Sequence, residues 1–191
     1  MKKITVVLFA GVLMLLACQK NTGSPVEKKI DWDKASIAIM DSMRPKLLAN
    51  WKMKSVSVKP SAPSTSEIGI YKDTVLYNFA ELNLTQVKNS GYYEKGNDVT
   101  GVITFRSKRY PVGFRLHAHP DRVVHKKGPQ VFGLVEYRFP VGTHLTELEE
   151  SYLSNLTLIG DNFEIEISAD GRSMTWKGLN RAIKNISFEK Y

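Results

Sequence analysis

The stretch Phe163-Glu164-Ile165-Glu166-Ile167-Ser168-Ala169-Asp170-Gly171-Arg172-Ser173-Met174-Thr175-Trp176-Lys177 decides the fold class. Phe163, Ile165 and Ile167 alternate with Glu164, Glu166 and Ser168, and Met174 and Trp176 alternate with Thr175 and Lys177. A side-chain period of two marks a strand with one face in a core and one in water. Ala169-Asp170-Gly171 between the runs supplies turn residues, so the segment predicts an antiparallel hairpin. Glu164 and Glu166 fall on its outer face and are expected to be strand surface.

The same period extends outward in both directions. Ile186 and Phe188 begin a last strand, and upstream Trp51–Val58, Glu67–Tyr71, Thr74–Phe79 and Glu81–Val87 read as strands. Val99, Ile103 and Phe105 share one face. Tyr110, Val112, Phe114 and Leu116 share another, opposite Arg115 and His117, and Val131, Val135, Tyr137 and Phe139 make the next. Leu153–Ile159 also reads as a strand. Asn89-Ser90-Gly91 and Lys95-Gly96-Asn97-Asp98 carry turn chemistry. A helical period appears near the start, where Trp32, Ile37, Met40, Met43 and Leu47 recur over residues 31–50, with Asp31 or Asp33 as a cap and Pro45 expected to end or kink the helix. Thr146-x-x-Glu149 has a capping-box pattern and predicts one or two helical turns up to Tyr152. Together these elements predict a mainly β fold: an antiparallel up-and-down meander of about 8–10 strands with an N-terminal helix, closed or partly open as a barrel, with a two-sheet sandwich as the alternative. Closure removes exposed edges and favours the barrel.

The composition supports a packed domain. Hydrophobic residues make up 42% and aromatics 10%, which fits a globular chain rather than a disordered one. A single cysteine excludes an internal disulfide, so the core alone must hold the fold. The formal charge of +8 is unevenly distributed. Lys88 to Lys127 holds nine Lys/Arg against three Asp/Glu, whereas Leu145 to Asp170 holds seven Asp/Glu and no Lys/Arg. The basic block suits anionic glycans or lipid headgroups, or the strands of the two blocks are simply solvated or neighbour one another. Nucleic acid is not expected as a partner, because aromatic and basic residues are not interleaved as stacking motifs require.

At the amino end, Lys2 and Lys3 precede the uncharged, mostly apolar run Ile4–Ala17, which is too short for a spanning helix of about 20 residues. This is the build of an export signal. Its ending, Leu15-Leu16-Ala17-Cys18, resembles the lipobox of bacterial lipoproteins, with Leu15 and Ala17 matching and Leu16 bulkier than usual. The resemblance implies diacylglycerol transfer to the Cys18 sulfur, cleavage before Cys18 and acylation of the new terminus by a fatty acid such as palmitate. The chain then divides into a signal peptide over 1–17, a lipidated cysteine with a polar tether over 18–30, and one β-rich domain over 31–191. Gln19 after the cysteine is permissive for the outer membrane, so a lipid-anchored envelope location is expected. The meander from Trp51 to Tyr191 further resembles lipocalin-like barrels. Their Gly-x-Trp motif falls on Ala49-Asn50-Trp51, with Ala49 in place of glycine. The family's basic residue stacked on that tryptophan would be Arg181.

His117 and His119 point the same way on a strand, with Asp121 next in the series and His125 beyond it, and they are the metal candidates. Arg115 on the same face repels a cation and Pro120 interrupts the strand, so no metal and no other cofactor is assigned. Glu147, Glu149 and Glu150 lie in one polar turn, expected to be a solvated helix face. Two carboxylates facing each other across a cleft, as acid–base hydrolysis needs, are not supplied there. No enzymatic activity is therefore expected. The expected function is a non-catalytic, lipid-anchored binding module for a small apolar or amphipathic ligand in a barrel mouth, or for a glycan on its surface. The alternative is an accessory envelope lipoprotein that docks a protein partner through separated basic and acidic surfaces.

Overall fold

The computed structural model describes residues 31–61, 63–87, 99–138 and 147–191. Cys18 and its tether, the turns at Asn89–Gly91 and Lys95–Asp98, Phe139 and Thr146 lie outside the described residues.

The hairpin forms as its alternation dictates. β7 (Asn162–Ile167) pairs with β8 (Ser173–Gly178) in the register Ile165↔Trp176 and Ile167↔Met174. Gly171 takes φ 68° in the connection, where the Ser168 hydroxyl donates to Asp170 Oδ1 at 2.6 Å. β8 continues into β9 (Ile183–Lys190), and β9 pairs with β1 (Asn50–Val58) through Met53↔Phe188 and Val56↔Ile186. That last pairing closes a ring. β1, β3 (Glu81–Gln86), β4 (Val99–Phe105), β5 (Lys108–Ala118), β6 (Val131–Tyr137), β7, β8 and β9 form an eight-stranded antiparallel barrel, each strand bonded to the next. The partly open barrel and the two-sheet sandwich are thereby excluded. A ninth strand, β2 (Thr74–Tyr77), pairs with β1 alone. β2 and β3 run along the same edge of β1 and are offset by a one-residue bulge at Asn78, whose φ is 47°.

Alternation fills the ring. Val99, Ile103 and Phe105 on β4 and Tyr110, Val112, Phe114 and Leu116 on β5 all turn inward and are buried. Gly101 on β4 has no side chain for a steric reason: a Cβ there would lie 2.2 Å from the Asn83 carbonyl oxygen. Among the described residues Trp51, Trp176, Phe114 and Phe163 are the largest fully buried side chains.

Four helices complete the described structure: α1 (Trp32–Leu47), α2 (Ser64–Glu67), α3 (Pro120–His125) and α4 (Leu148–Asn155). α1 is capped by Asp31, which accepts from Lys34 N–H at 3.0 Å. It ends at Leu47, two residues beyond Pro45, which sits in its last turn. α1 packs against β5, β6 and α3 across one end of the barrel. α2 and α4 lie together at the opposite end, joined by Asn155 Nδ2 donating to Glu67 Oε2 at 2.8 Å.

Two expected strands are corrected. Glu67–Tyr71 is the end of α2 and a turn, because Ser61 N–H donates to Thr65 Oγ1 at 3.0 Å and Gly69 adopts φ 77°. Local side-chain bonds of this kind compete with sheet pairing. Leu153–Ile159 is helix and helix exit, with Leu153 and Leu156 one helical turn apart and both buried. A short apolar run does not distinguish a buried helix from a buried strand.

Candidate functional site

The barrel interior is occupied by aromatic rings that meet across it. Phe114 on β5 meets Trp176 on β8 edge-on with centroids 5.4 Å apart, although two strands separate them around the ring. Phe163 and Phe188 close on the same indole at 5.5 and 4.7 Å. Trp176 Nε1–H donates to Met174 Sδ at 3.2 Å. Trp51 is also fully buried, and its Nε1–H donates to Leu47 O at 2.8 Å, which ties the end of α1 to the start of the barrel. Arg181 does not stack on it: Ile183 pairs with Val58 and Lys190 pairs with Trp51, so Arg181 sits by the far end of β1, roughly 23 Å away at strand spacing.

Among the described residues, open space lies around α1. Met40 and Leu47 seat the helix in the core, and Ile39, Met43 and Leu48 pack partly against it. On one side a cleft of about 490 Å³ is lined by Asp41, Arg44, Pro45 and Leu48 of the helix segment, facing Val87 and Val99. Arg44 pairs with Asp41 at 3.3 Å along the cleft. A second cleft, about 400 Å³, runs between Ile37, Met40 and Arg44 and the end of β5 at Leu116–Ala118. The walls of the first cleft mix apolar Pro45, Leu48, Val87 and Val99 with the Arg44 guanidinium, the Asp41 carboxylate and the Gln86 amide. Such a mix suits a ligand with an apolar body and a charged or polar head.

The opposite end carries the acidic turn. Glu147 precedes α4, and its N–H donates to Glu150 Oε2 at 3.3 Å in a capping-box arrangement one residue later than the sequence suggested. Glu147 and Glu149 both pair with Lys108, at 3.2 and 3.1 Å. The Lys108 ammonium holds the Glu149 carboxyl below its ordinary range, and the two glutamates, Glu149 foremost, push the lysine up. Tyr110 donates to Glu147 Oε2 at 3.0 Å and is pushed up to about 12, chiefly by burial and then by that carboxylate. Burial likewise raises Tyr137, whose hydroxyl donates to Glu150 O at 3.1 Å. The turn is therefore not a free solvated face: it clamps α4 onto β5 and β6. Arg106, the first of two non-glycine residues with positive φ in the β4–β5 turn, lies 5.0 Å from the Phe105 ring and 5.2 Å from Tyr152.

His117 and His119 flank the Phe132 ring, with centroids at 5.3 and 6.3 Å. His119 is beyond the end of β5, where it precedes α3. His125 Nδ1 is 2.8 Å from Asp121 O. Among the described residues no three His, Cys, Asp or Glu side chains converge. Arg115 is engaged by Glu136 at 2.7 Å. Of the two hairpin glutamates, Glu166 stays on the surface near Lys177, at 3.8 Å, while Glu164 is buried under Arg122 at 2.5 Å. That burial corrects the expectation of strand surface and depends on α3, which was absent from the sequence-based elements. Pro120 at the first helical position followed by Asp121 is the start signal that reveals it. Through Lys108–Glu147, Lys108–Glu149 and Arg122–Glu164 the basic and acidic blocks meet each other.

No family model, curated protein or solved structure matches this chain.

Proposed function

We propose that this protein is a lipid-anchored, non-catalytic binding module of the bacterial cell envelope, tethered through Cys18 in the outer membrane, and that it takes a small amphipathic ligand in the cleft beside α1. The observation that carries this reading is the contrast between the ring and its helix-covered end. Interior aromatics meet across the barrel, whereas the cleft beside α1 offers about 490 Å³ between walls of mixed polarity, with Arg44 at its side. A volume of that size is ordinary for a small-molecule site. Arg44 would hold an anionic or polar head, and Pro45, Leu48, Val87 and Val99 the apolar body. The protein-docking alternative loses support, because its two charge blocks contact one another.

Oleate, with dodecyl phosphate as a second anionic amphiphile, tests this by calorimetric titration. Binding is expected to weaken by about ten- to a hundredfold in Arg44→Ala, the cost of one charge-assisted hydrogen bond, and to recover in part in Arg44→Lys. Equal affinity in all three proteins, or no heat from either amphiphile, rejects the cleft.

A further inference from the structure

We infer that the α1–α3 end of the barrel docks on the bilayer that carries the anchor, with Trp32 in the interface and Lys126 and Lys127 on anionic lipid phosphates. This rests on lipidation of Cys18. The domain begins at Asp31, directly before α1, and the chain from Gln19 to Ile30 reaches at most roughly 40 Å when fully extended. The helix-covered end is thus the end nearest the anchor along the chain.

The surface there matches a lipid headgroup layer. The apolar stripe of α1 runs through Met40, Met43 and Leu47 into the barrel and continues at helical spacing to Trp32, where nothing covers it completely: Trp32 is 43% exposed. A half-exposed indole, apolar in body with one N–H donor, is the side chain favoured at membrane–water boundaries. α3 packs beside α1 and ends in the exposed cations Lys126 and Lys127. Of the carboxylates at this end, Asp31 accepts from Lys34 N–H and Asp121 lies 3.5 Å from the His125 ring, while Asp33 is exposed, so attraction to anionic lipid rests on Lys126 and Lys127. Juxtamembrane lysines gain from the negative potential of anionic leaflets. Docking this way would set the cleft beside α1 close to the membrane, a natural source of an amphipathic ligand.

The protein contains its own reporter. Of three tryptophans, Trp51 and Trp176 are fully buried, so quencher in the lipid reads Trp32. The acylated chain would be reconstituted into vesicles of phosphatidylglycerol and bromine-labelled phosphatidylcholine, and its emission compared with that in unlabelled vesicles. Docking predicts quenching of the exposed component that disappears in Trp32→Phe and falls at least severalfold in the Lys126→Glu/Lys127→Glu protein and at high salt. A chain that floats with the vesicles while its emission is unchanged overturns the docking and leaves the anchor standing. A chain that carries no acyl group and does not float overturns the anchor and the docking with it. Equal quenching in phosphatidylcholine alone overturns the role assigned to the lysines.

Discussion

Gly101 shows how narrow the tolerance is at single positions. Its α-hydrogen points at the Asn83 carbonyl across the β3–β4 ladder, and a methyl group would stand 2.2 Å from that oxygen and 2.9 Å from Leu84 Cδ2. Backbone on the neighbouring strand cannot rotate away as a side chain can. Gly101→Ala should therefore destabilise the fold by about 1–3 kcal/mol, the usual cost of overpacking, read as a lower denaturation midpoint with an unchanged slope. Asn78 and Arg106 carry the opposite lesson. Both hold positive φ without being glycine, at 47° and 49°. Asn tolerates that region through its short polar side chain, whereas Arg106 is held there by its contacts with two aromatic rings. Nothing in the local sequence around Arg106 marks such a turn, since an Asn-Gly pair is its usual signal.

At the scale of elements, α4 is held by charge as well as by Leu153. Its Glu147–Lys108–Tyr110 cluster binds the helix start to β5. Tyr110 has a folded-state pKa of about 12 against an ordinary 10.0, so the folded protein binds this proton more tightly than the unfolded chain does. Its contribution to stability is complete below about pH 10 and is lost as pH rises towards about 12. Phenolate absorbance should show a tyrosine ionising late in this window, together with loss of helical dichroism. Glu147→Ala should move that ionisation down only in part, because burial, the larger cause, persists. A titration in which Glu147→Ala matches the parent protein would show that the cluster does not hold Tyr110. The cap pattern located the start of this helix to within two residues, but the sequence reading ended it at Tyr152 and gave Leu153 onward to a strand. It did not foresee that the acidic turn would be neutralised, because Lys108 is nearly forty residues away and meets it only through the barrel.

For the whole molecule, the decisive contact joins the ends of the described domain. β1 and β9 close the ring over a sequence separation of more than a hundred residues. Such a pairing forms only after much chain has been ordered, so refolding should be slow for a protein of this size. Amides of β1 and β9 should exchange only through global unfolding, whereas those of β2, bonded on one edge only, should exchange through local opening. Hydrogen exchange at increasing denaturant checks this, and early exchange of β9 would show that closure is a weak link. The interior agrees with a cooperative core, since Trp176 joins side chains from β5, β7 and β9 at once.

Alternation of side chains was enough to make Phe163–Lys177 a hairpin, to assign inward and outward faces on β4, β5 and β8, and to set the strand number near nine, because those properties depend on a period of two within each strand. Closure of the ring, the burial of Glu164 beneath Arg122, the helix at Ser64–Glu67, and the cleft between α1 and the barrel were decided only by the tertiary structure. Each of these depends on residues far apart in the chain or on local hydrogen bonds that override an apolar pattern. A period records which face of a strand is buried, but it carries no record of what lies against that face.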